Sequence, residues 1–600
     1  MKQRHTRGTG VKSTTVGVFL WLFASVVWGQ NAAQGPQERL GQQAGGQILT
    51  SPTVLESTPT QVAQRLRRFD EGPPPGSERI PSTPPSEVED RLIFEPVRDR
   101  WRIGYKRNIW DPYNQNILKG DYPIPGTQNL FFVFTGISDT LAEVRSLPIP
   151  SGVSAENADS FGFFDDNRQV IFRENLLLRF ELYRGDTAFK PPDFLLTITP
   201  ALNFNYLDLE ERGGVNIDVR QGTNRARGDA ALQEGSFEYH IANLSDRYDS
   251  ISIKLGIQPF VSDFRGFIFN DTNLGARLFG NLGNNRYQYN LVFFDMLEKE
   301  TNSELNTFDR RDQRIVIANL YWQDLFVLGY TTQFNLHYVH DKATFQFDRN
   351  NFLVRPDAVG VFTPHELNVV YLGWTSSGHI GILNVTHALY QAVGTDTRNP
   401  LAGRRVTVNA QMAALELSID YDWLRPVVSV TYASGDRNPT NGKAQGFDSI
   451  FDKPNFAGGD FSFWNRQGIR LLNVGLVQGG SFLPDLRSSK IQGQPNFVNP
   501  GLVRLHAGLE AEVTPKLRAL FNGSYLRFAT VQPLQHFLQQ PKIGHDIGFD
   551  FSLGLLYRPL LNNNIILTGG VAAFIPGNGF KDALTHETLF QGFLNVRLLY

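Results

Sequence analysis

Eight cationic side chains, Arg173, Arg179, Lys254, Arg277, Arg504, His506, Arg518 and Arg597, fall on the polar face of segments in which polar and apolar residues alternate. Around the first two, Phe172, Leu176, Leu178, Phe180 and Leu182 share one face, and Arg173, Asn175, Arg179 and Glu181 share the other. A guanidinium fork binds a carboxylate bidentately, and a ring of one sign lining a pore focuses a field that selects ions. The chemistry predicted is therefore attraction of anionic or polyhydroxylated solutes rather than bond making. The competing arrangement is a wetted wall in which Arg and Glu pair off. His240, His337, His340 and His387 have no Ser or Asp at a convincing spacing, so no catalytic residues, no enzyme activity and no cofactor are expected.

A period of two demands strands, and a cationic face opposite an apolar one demands water on one side and lipid on the other. An Arg or Lys on the lipid face near mid-membrane costs about 2–4 kcal/mol, which turns these cations inward. The same parity places Glu238, Gln258, Gln333, Asn335, His337, Glu510, Glu512, Asn522 and Asn595 in a lumen, with Val503, Leu505, Ala507 and Leu509 toward lipid. Glu174 breaks the pattern by standing on the apolar face. The chain ends FQGFLNVRLLY, with Leu594, Val596, Leu598 and Tyr600 on one face and an aromatic C-terminal residue. That is the reading of a lipid-facing strand of an outer-membrane barrel.

Alternation and turn residues mark eighteen candidate strands. The first nine are 130–141, 170–183, 194–207, 232–244, 251–260, 274–282, 287–295, 314–323 and 331–340. The rest are 366–374, 380–392, 406–421, 427–434, 503–513, 517–528, 547–557, 565–575 and 589–600. Short links (LLNNN, VTPK, DYDWLRP, TSSGH, GNNR) alternate with longer ones, the longest at 435–502. The strand-like run 470–479 is assigned to that excursion, because a nineteenth strand would break the even count. The fold class expected is all-β, a transmembrane antiparallel barrel over 130–600 with both mature termini in the periplasm.

Bulk properties agree. Aromatics make up 12% of the chain, with 46 Phe, which suits interfacial girdles. After the first 30 residues no stretch approaches the roughly 18 apolar residues of a membrane helix. The absence of Cys excludes disulfides, thiolate catalysis and thiolate metal sites. Charge is balanced, 57 basic against 59 acidic, so nothing favours nucleic acid. Residues 1–29 read as a signal peptide: a basic start, a 13-residue apolar core at 16–28 and small residues before the cut. Residues 30–89 are a Pro- and Gln-rich periplasmic linker, expected to be disordered, and 90–129 an ordered segment at the periplasmic mouth. The expected surroundings are outer-membrane lipid of a Gram-negative-type cell, with barrel-assembly machinery engaging the C-terminal strand.

The most motif-like stretch is YASGDRNPTNGKAQGFDSIFDKPNFAGGDFSFW at 432–464. Its aspartates fail the calcium-loop pattern, with Asn441 where Gly is needed and Phe447 where Glu is needed, so no metal is expected. A solvated loop partly folded over a pore is the expectation. Gly435, Asp436, Phe447, Asp448 and Phe451 resemble a Gly-Asp…Phe-Asp…Phe segment of the alginate-export family of outer-membrane porins, and LNVTHALYQ at 383–391 is similar to related barrels. The resemblance covers 380–464. It implies an eighteen-strand barrel with a cationic lumen that passes an anionic uronate polymer. The expected function is thus a porin or exporter for small hydrophilic solutes or polysaccharide. The alternatives are a sheath or scaffold around a partner such as a cytochrome, and an outer-membrane enzyme.

Overall fold

In a computed structural model of the chain, residues 116–148, 167–185, 191–246, 249–357, 359–467, 483–484 and 486–600 are described. The signal peptide, the linker, most of the 90–129 segment and the 470–479 run lie outside the described residues. Twenty strands join in one sheet, of which eighteen form a closed antiparallel wall. These are β1 Leu130–Ser146, β2 Arg168–Arg184, β3 Phe194–Leu209, β4 Asn224–Asn243, β5 Ser250–Val261, β6 Asn270–Leu282, β7 Tyr287–Lys299, β8 Asn306–Trp322 and β9 Tyr330–Asp341. Then come β10 Leu367–Ile380, β11 Leu383–Asn399, β12 Arg404–Ile419, β13 Leu424–Ala433, β14 Leu502–Thr514, β15 Leu517–Phe528, β16 Asp546–Tyr557, β17 Ile565–Pro576 and β18 Leu589–Leu599.

The last strand closes on the first, with Ile137 opposite Leu599 and Arg145 opposite Gln591. Tyr600 extends the seam by donating its N–H to the Gly136 carbonyl at 2.9 Å. Closure leaves no strand edge, which is the condition for a sheet to sit in hydrocarbon. Parity then sets the two faces. Phe172, Leu176 and Phe180 are each 37% exposed on the outside, and Leu505 is 53% exposed. Their inward neighbours Asn175, Arg179, Arg504 and His506 are buried. Glu174, the exception on the outer face, accepts hydrogen bonds from the hydroxyls of Ser138 (2.7 Å) and Thr140.

Turn chemistry matches at one rim. Asn284 and Asn285 in the GNNR turn both take positive φ (62° and 63°), the geometry whose twist suits a tight hairpin. Two expectations about the links are overturned. Thr375–His379 is not a turn: it continues β10, where the Thr375 hydroxyl donates to Gln333 at 2.8 Å across the lumenal face. The chain reverses instead at Gly381, with φ 63°. The link between β11 and β12, read as long, is only residues 400–403, because both strands run on past the apolar belt. A short strand, Lys119–Pro123, pairs along the start of β1, and the Lys119 ammonium lies 4.2 Å from the Tyr600 ring centre.

The largest apolar cluster lies inside the wall, not between layers. It joins Phe267, Phe269, Phe294 and Tyr371 from strands and links to Phe447, Phe451, Phe463, Trp464 and Phe497 from the 434–501 link. That link therefore folds into the barrel.

Candidate pore and the link folded into it

All eight predicted cations sit on wall strands, and the structure pairs most of them off. Arg179, 7% exposed, donates to Glu181 at 2.8 Å and lies 3.4 Å from Glu234, which Lys254 also approaches at 3.6 Å. Arg277 donates to Asn290 at 2.7 Å and stacks 4.3 Å from the Phe279 ring. Arg518 bonds Glu510, and Arg597 donates to Asp139 at 2.9 Å. His506 sits between Ser429 (3.1 Å) and Asn522 (3.3 Å). Such pairs neutralise a wall rather than charge it.

Arg173 differs: its Nε is buried without a hydrogen-bond partner, and among the described residues no carboxylate lies within ion-pairing distance. Strand register places it opposite Asn205, and Asn205 opposite Arg227. Beside this row Asn205 donates to Asn203 (2.7 Å) and Asn203 to Asn175 (2.6 Å), a short amide ladder on one face. Arg225, two residues before Arg227, buries Nε and Nη1 without partners. These two arginines escaped the sequence reading because β4 was started at Leu232. The alternation in RARGD was the available signal. A small cavity between wall and link brings Arg173 together with Arg597, Asp139, Asp460 and Arg466.

The 434–501 link is not the solvated loop expected. Phe447 and Asp448 are fully buried, and Phe451 and Asp436 nearly so. Its Phe residues are aperiodic, so no strand or helix pattern announced their burial. Packing inside the wall supplies it. Each motif residue has a structural task. A Cβ on Gly435 would lie 2.2 Å from the Pro500 carbonyl oxygen, so the chain ends of the link can close only over glycine. Asp436 accepts the Asn438 N–H at 2.8 Å. Phe447 meets the Tyr371 ring edge-on, and Phe451 lies under the Arg311 guanidinium at 5.0 Å. Asp448 accepts the Asn496 N–H at 2.8 Å and faces Lys490 at 3.2 Å.

Wall groups clamp the link on several sides. Arg504, 2% exposed, donates to Asn465 (2.5 Å) and to the Ala457 carbonyl (2.7 Å), so this predicted pore cation is a fastening. Asp550 accepts from Ser462 Oγ (2.5 Å) and the Trp464 N–H (3.2 Å). Phe461 lies over two wall glycines: a Cβ on Gly554 would approach its ring to 2.3 Å, and one on Gly570 to 3.0 Å. Gln467 spans the seam, donating to Glu143 on β1 (2.8 Å) and Gln591 on β18 (2.6 Å). From the 342–366 link, Arg355 holds Glu298 on β7 and donates to the Gln492 carbonyl at 2.8 Å.

Outside the wall strands, the 342–366 link adds a titratable junction. Asp357 accepts the Ser488 N–H (3.0 Å) and hydroxyl (2.6 Å). Burial pushes its carboxyl up to about 6, against the hydrogen bonds that favour the charge. Nearby His365 contacts Asp396 at 2.7 Å. Burial alone would lower its pKa, but that carboxylate and its acidic neighbours outweigh it, and the pKa is raised.

Fold and site together define a polar-lined, eighteen-strand membrane barrel with an inward-folded link. No family model matches the chain, and no curated protein matches it. The alginate-export likeness is therefore without a family match. Similar solved structures include Pseudomonas aeruginosa OccK9 (OpdG), at 10% identity and TM-score 0.43, covering 78% of this chain and 98% of that one. Pseudomonas aeruginosa OpdK shares 12% identity at TM-score 0.42, covering 78% and 98%. A BenF-like porin from Pseudomonas fluorescens Pf-5 shares 10% at TM-score 0.42, with the same coverage.

Proposed function

We propose that the protein is an outer-membrane channel passing small hydrophilic solutes, anionic carbohydrate-like molecules among them. One observation carries this: a closed eighteen-strand wall, apolar outward, turns a face of Asn, Ser, Thr and Arg side chains inward, and several of these polar atoms have no protein partner. A barrel of about 16–18 strands is too wide for its own side chains to fill. The aromatic C-terminal strand supports assembly by the barrel-assembly machinery, with both termini periplasmic. The likeness over 380–464 makes an oligouronate the first polymer to try, and Arg173 and Arg227 are its contacts in this reading. The test is purified protein in planar bilayers, with conductance and reversal potential recorded under a salt gradient. Conductance with anion preference is expected. Silence from folded protein that persists when the links inside the lumen are loosened by substitution defeats the channel, and cation preference defeats the anionic solute.

A further inference from the structure

One rung of the lumenal wall is apolar across five strands. Leu599, one residue inward-facing from Leu598, stands opposite Ile137, Ile137 opposite Leu177, Leu177 opposite Ala201, and Ala201 opposite Ala231. The rungs on either side are polar. One carries Arg597, Asp139, Asn175, Asn203 and Asp229, and the other Arg179, Thr199 and Glu234. Leu305, from the 300–305 link between β7 and β8, is 4% exposed and packs on Ile137, Leu177 and Ala201.

That contact is strapped down. The Leu305 carbonyl accepts the Glu300 N–H at 2.8 Å, closing the link into a tight turn. Asn306 donates to Gln233 Oε1 at 3.2 Å, and Arg349 joins Glu300 (3.1 Å) to Asp229 (2.5 Å) on β4. The 434–501 link is fastened elsewhere: among the described residues its hydrogen bonds and ring contacts reach β1, strands from β6 to β18 and their links, and it faces β2 across the small cavity at Arg173 without a hydrogen bond to β2–β5. Above the apolar rung, Arg173 Nε, Asn205 Oδ1, Arg225 Nε and Asp229 Oδ2 are buried without protein partners. Below it the same holds for Arg179 Nε, Thr197 Oγ1, Thr199 Oγ1 and Ser236 Oγ. Buried polar atoms in this state are satisfied by water or by solute.

We infer that solutes cross along the inner face of β2–β5, and that Leu305, resting on the apolar rung, is the gate on that track. A hydrophobic constriction stops ions by shedding water, because a hydrated ion finds no polar group to replace its shell. Lifting the 300–305 link would join the two polar stretches into one donor- and acceptor-lined track suited to hydroxyl-bearing solutes. The inference rests on the channel reading.

The chain has no Cys, so single cysteines report position cleanly. Leu305→Asp and the milder Leu305→Ala would be recorded in bilayers, with folding checked by heat-modifiable gel migration. Ser236→Cys on the track and Ser552→Cys on β16 would be treated with an anionic methanethiosulfonate. Ser552 is the control because the link covers its neighbours, Asp550 holding Ser462 and Gly554 lying under Phe461. A severalfold conductance rise in Leu305→Asp, a smaller one in Leu305→Ala, and block at Ser236→Cys alone are expected. A conducting wild type with both Leu305 variants unchanged, or block only at Ser552→Cys, overturns the gate and leaves the channel standing. Silence from the wild type and both folded Leu305 variants overturns the two together.

Discussion

The lumen has two unlike sides. From β13 round to β18 and β1, wall side chains are occupied by the 434–501 link: Arg504 grips Asn465, Asp550 grips Ser462, and Gln591 grips Gln467. From β2 to β5 the wall is equally polar, yet Arg173, Thr197, Thr199 and Ser236 leave buried atoms without partners. The contrast teaches that a lumenal cation is not by itself a selectivity residue. Arg504 and Arg173 have the same side chain and the same inward parity, but the first fastens the link and the second keeps a buried Nε without a hydrogen-bond partner.

The strongest way to break this contrast is to remove the occupant. Replacing residues 437–498 by a short Gly-Ser turn should give the largest rise in single-channel conductance of any change considered. No rise would show that the link does not narrow the lumen. Arg504→Ala comes next. It takes from buried Asp550 the guanidinium that lies 3.9 Å away, a cost of about 3–5 kcal/mol. Trypsin should then cut at Lys453 or Arg466 in folded protein far faster than in wild type, whereas unchanged cutting would mean the link is held without that clamp.

A smaller effect sharpens the open side. Arg173→Gln or Arg227→Gln should lower anion preference in reversal-potential measurements. Arg179→Gln should move it little, because Glu181 and Glu234 already balance that charge. Equal shifts from Arg173 and Arg179 would erase the distinction between paired and unpaired cations. The smallest effect is acid tightening of the junction between the 342–366 link and Ser488. Folded Asp357 holds its proton up to about 6 against an ordinary 3.8, so the folded state binds more protons in that window and stability falls as pH rises through it. The raised pKa of His365 acts in the same direction, its contribution present below 6.5 and lost as pH climbs through the folded value. Exchange of the Ser488 amide, corrected for intrinsic pH dependence, should slow on mild acidification, and Asp357→Asn should remove most of that response.

All eighteen strands were legible in the sequence because a two-residue period survives wherever one face meets lipid. Their outer ends were not. The segments RARGD at the start of β4 and NTFDRRD at the start of β8 stand above the apolar belt, where both faces are polar and the period fades. The inward direction of Arg179 and Arg504 followed from parity, but their partners did not, since those depend on register between strands far apart in sequence. The fate of the 434–501 link was hidden for another reason. Its Gly, Asn and Asp residues speak of turns, while Phe447, Phe461 and Phe463 bury without any regular spacing. Composition held a hint, in the density of Phe, that no local pattern could place.

The pair of hydrogen bonds that Gln467 donates to Glu143 and Gln591 has a consequence for how the molecule is made. Those partners belong to the first and last strands of the wall, which meet only when synthesis and insertion are finished. The 434–501 link is made well before β18, yet this seat does not exist until the cylinder is sealed. Seating of Gln467 therefore reports completion: the link can take up these two hydrogen bonds together only in a sealed barrel.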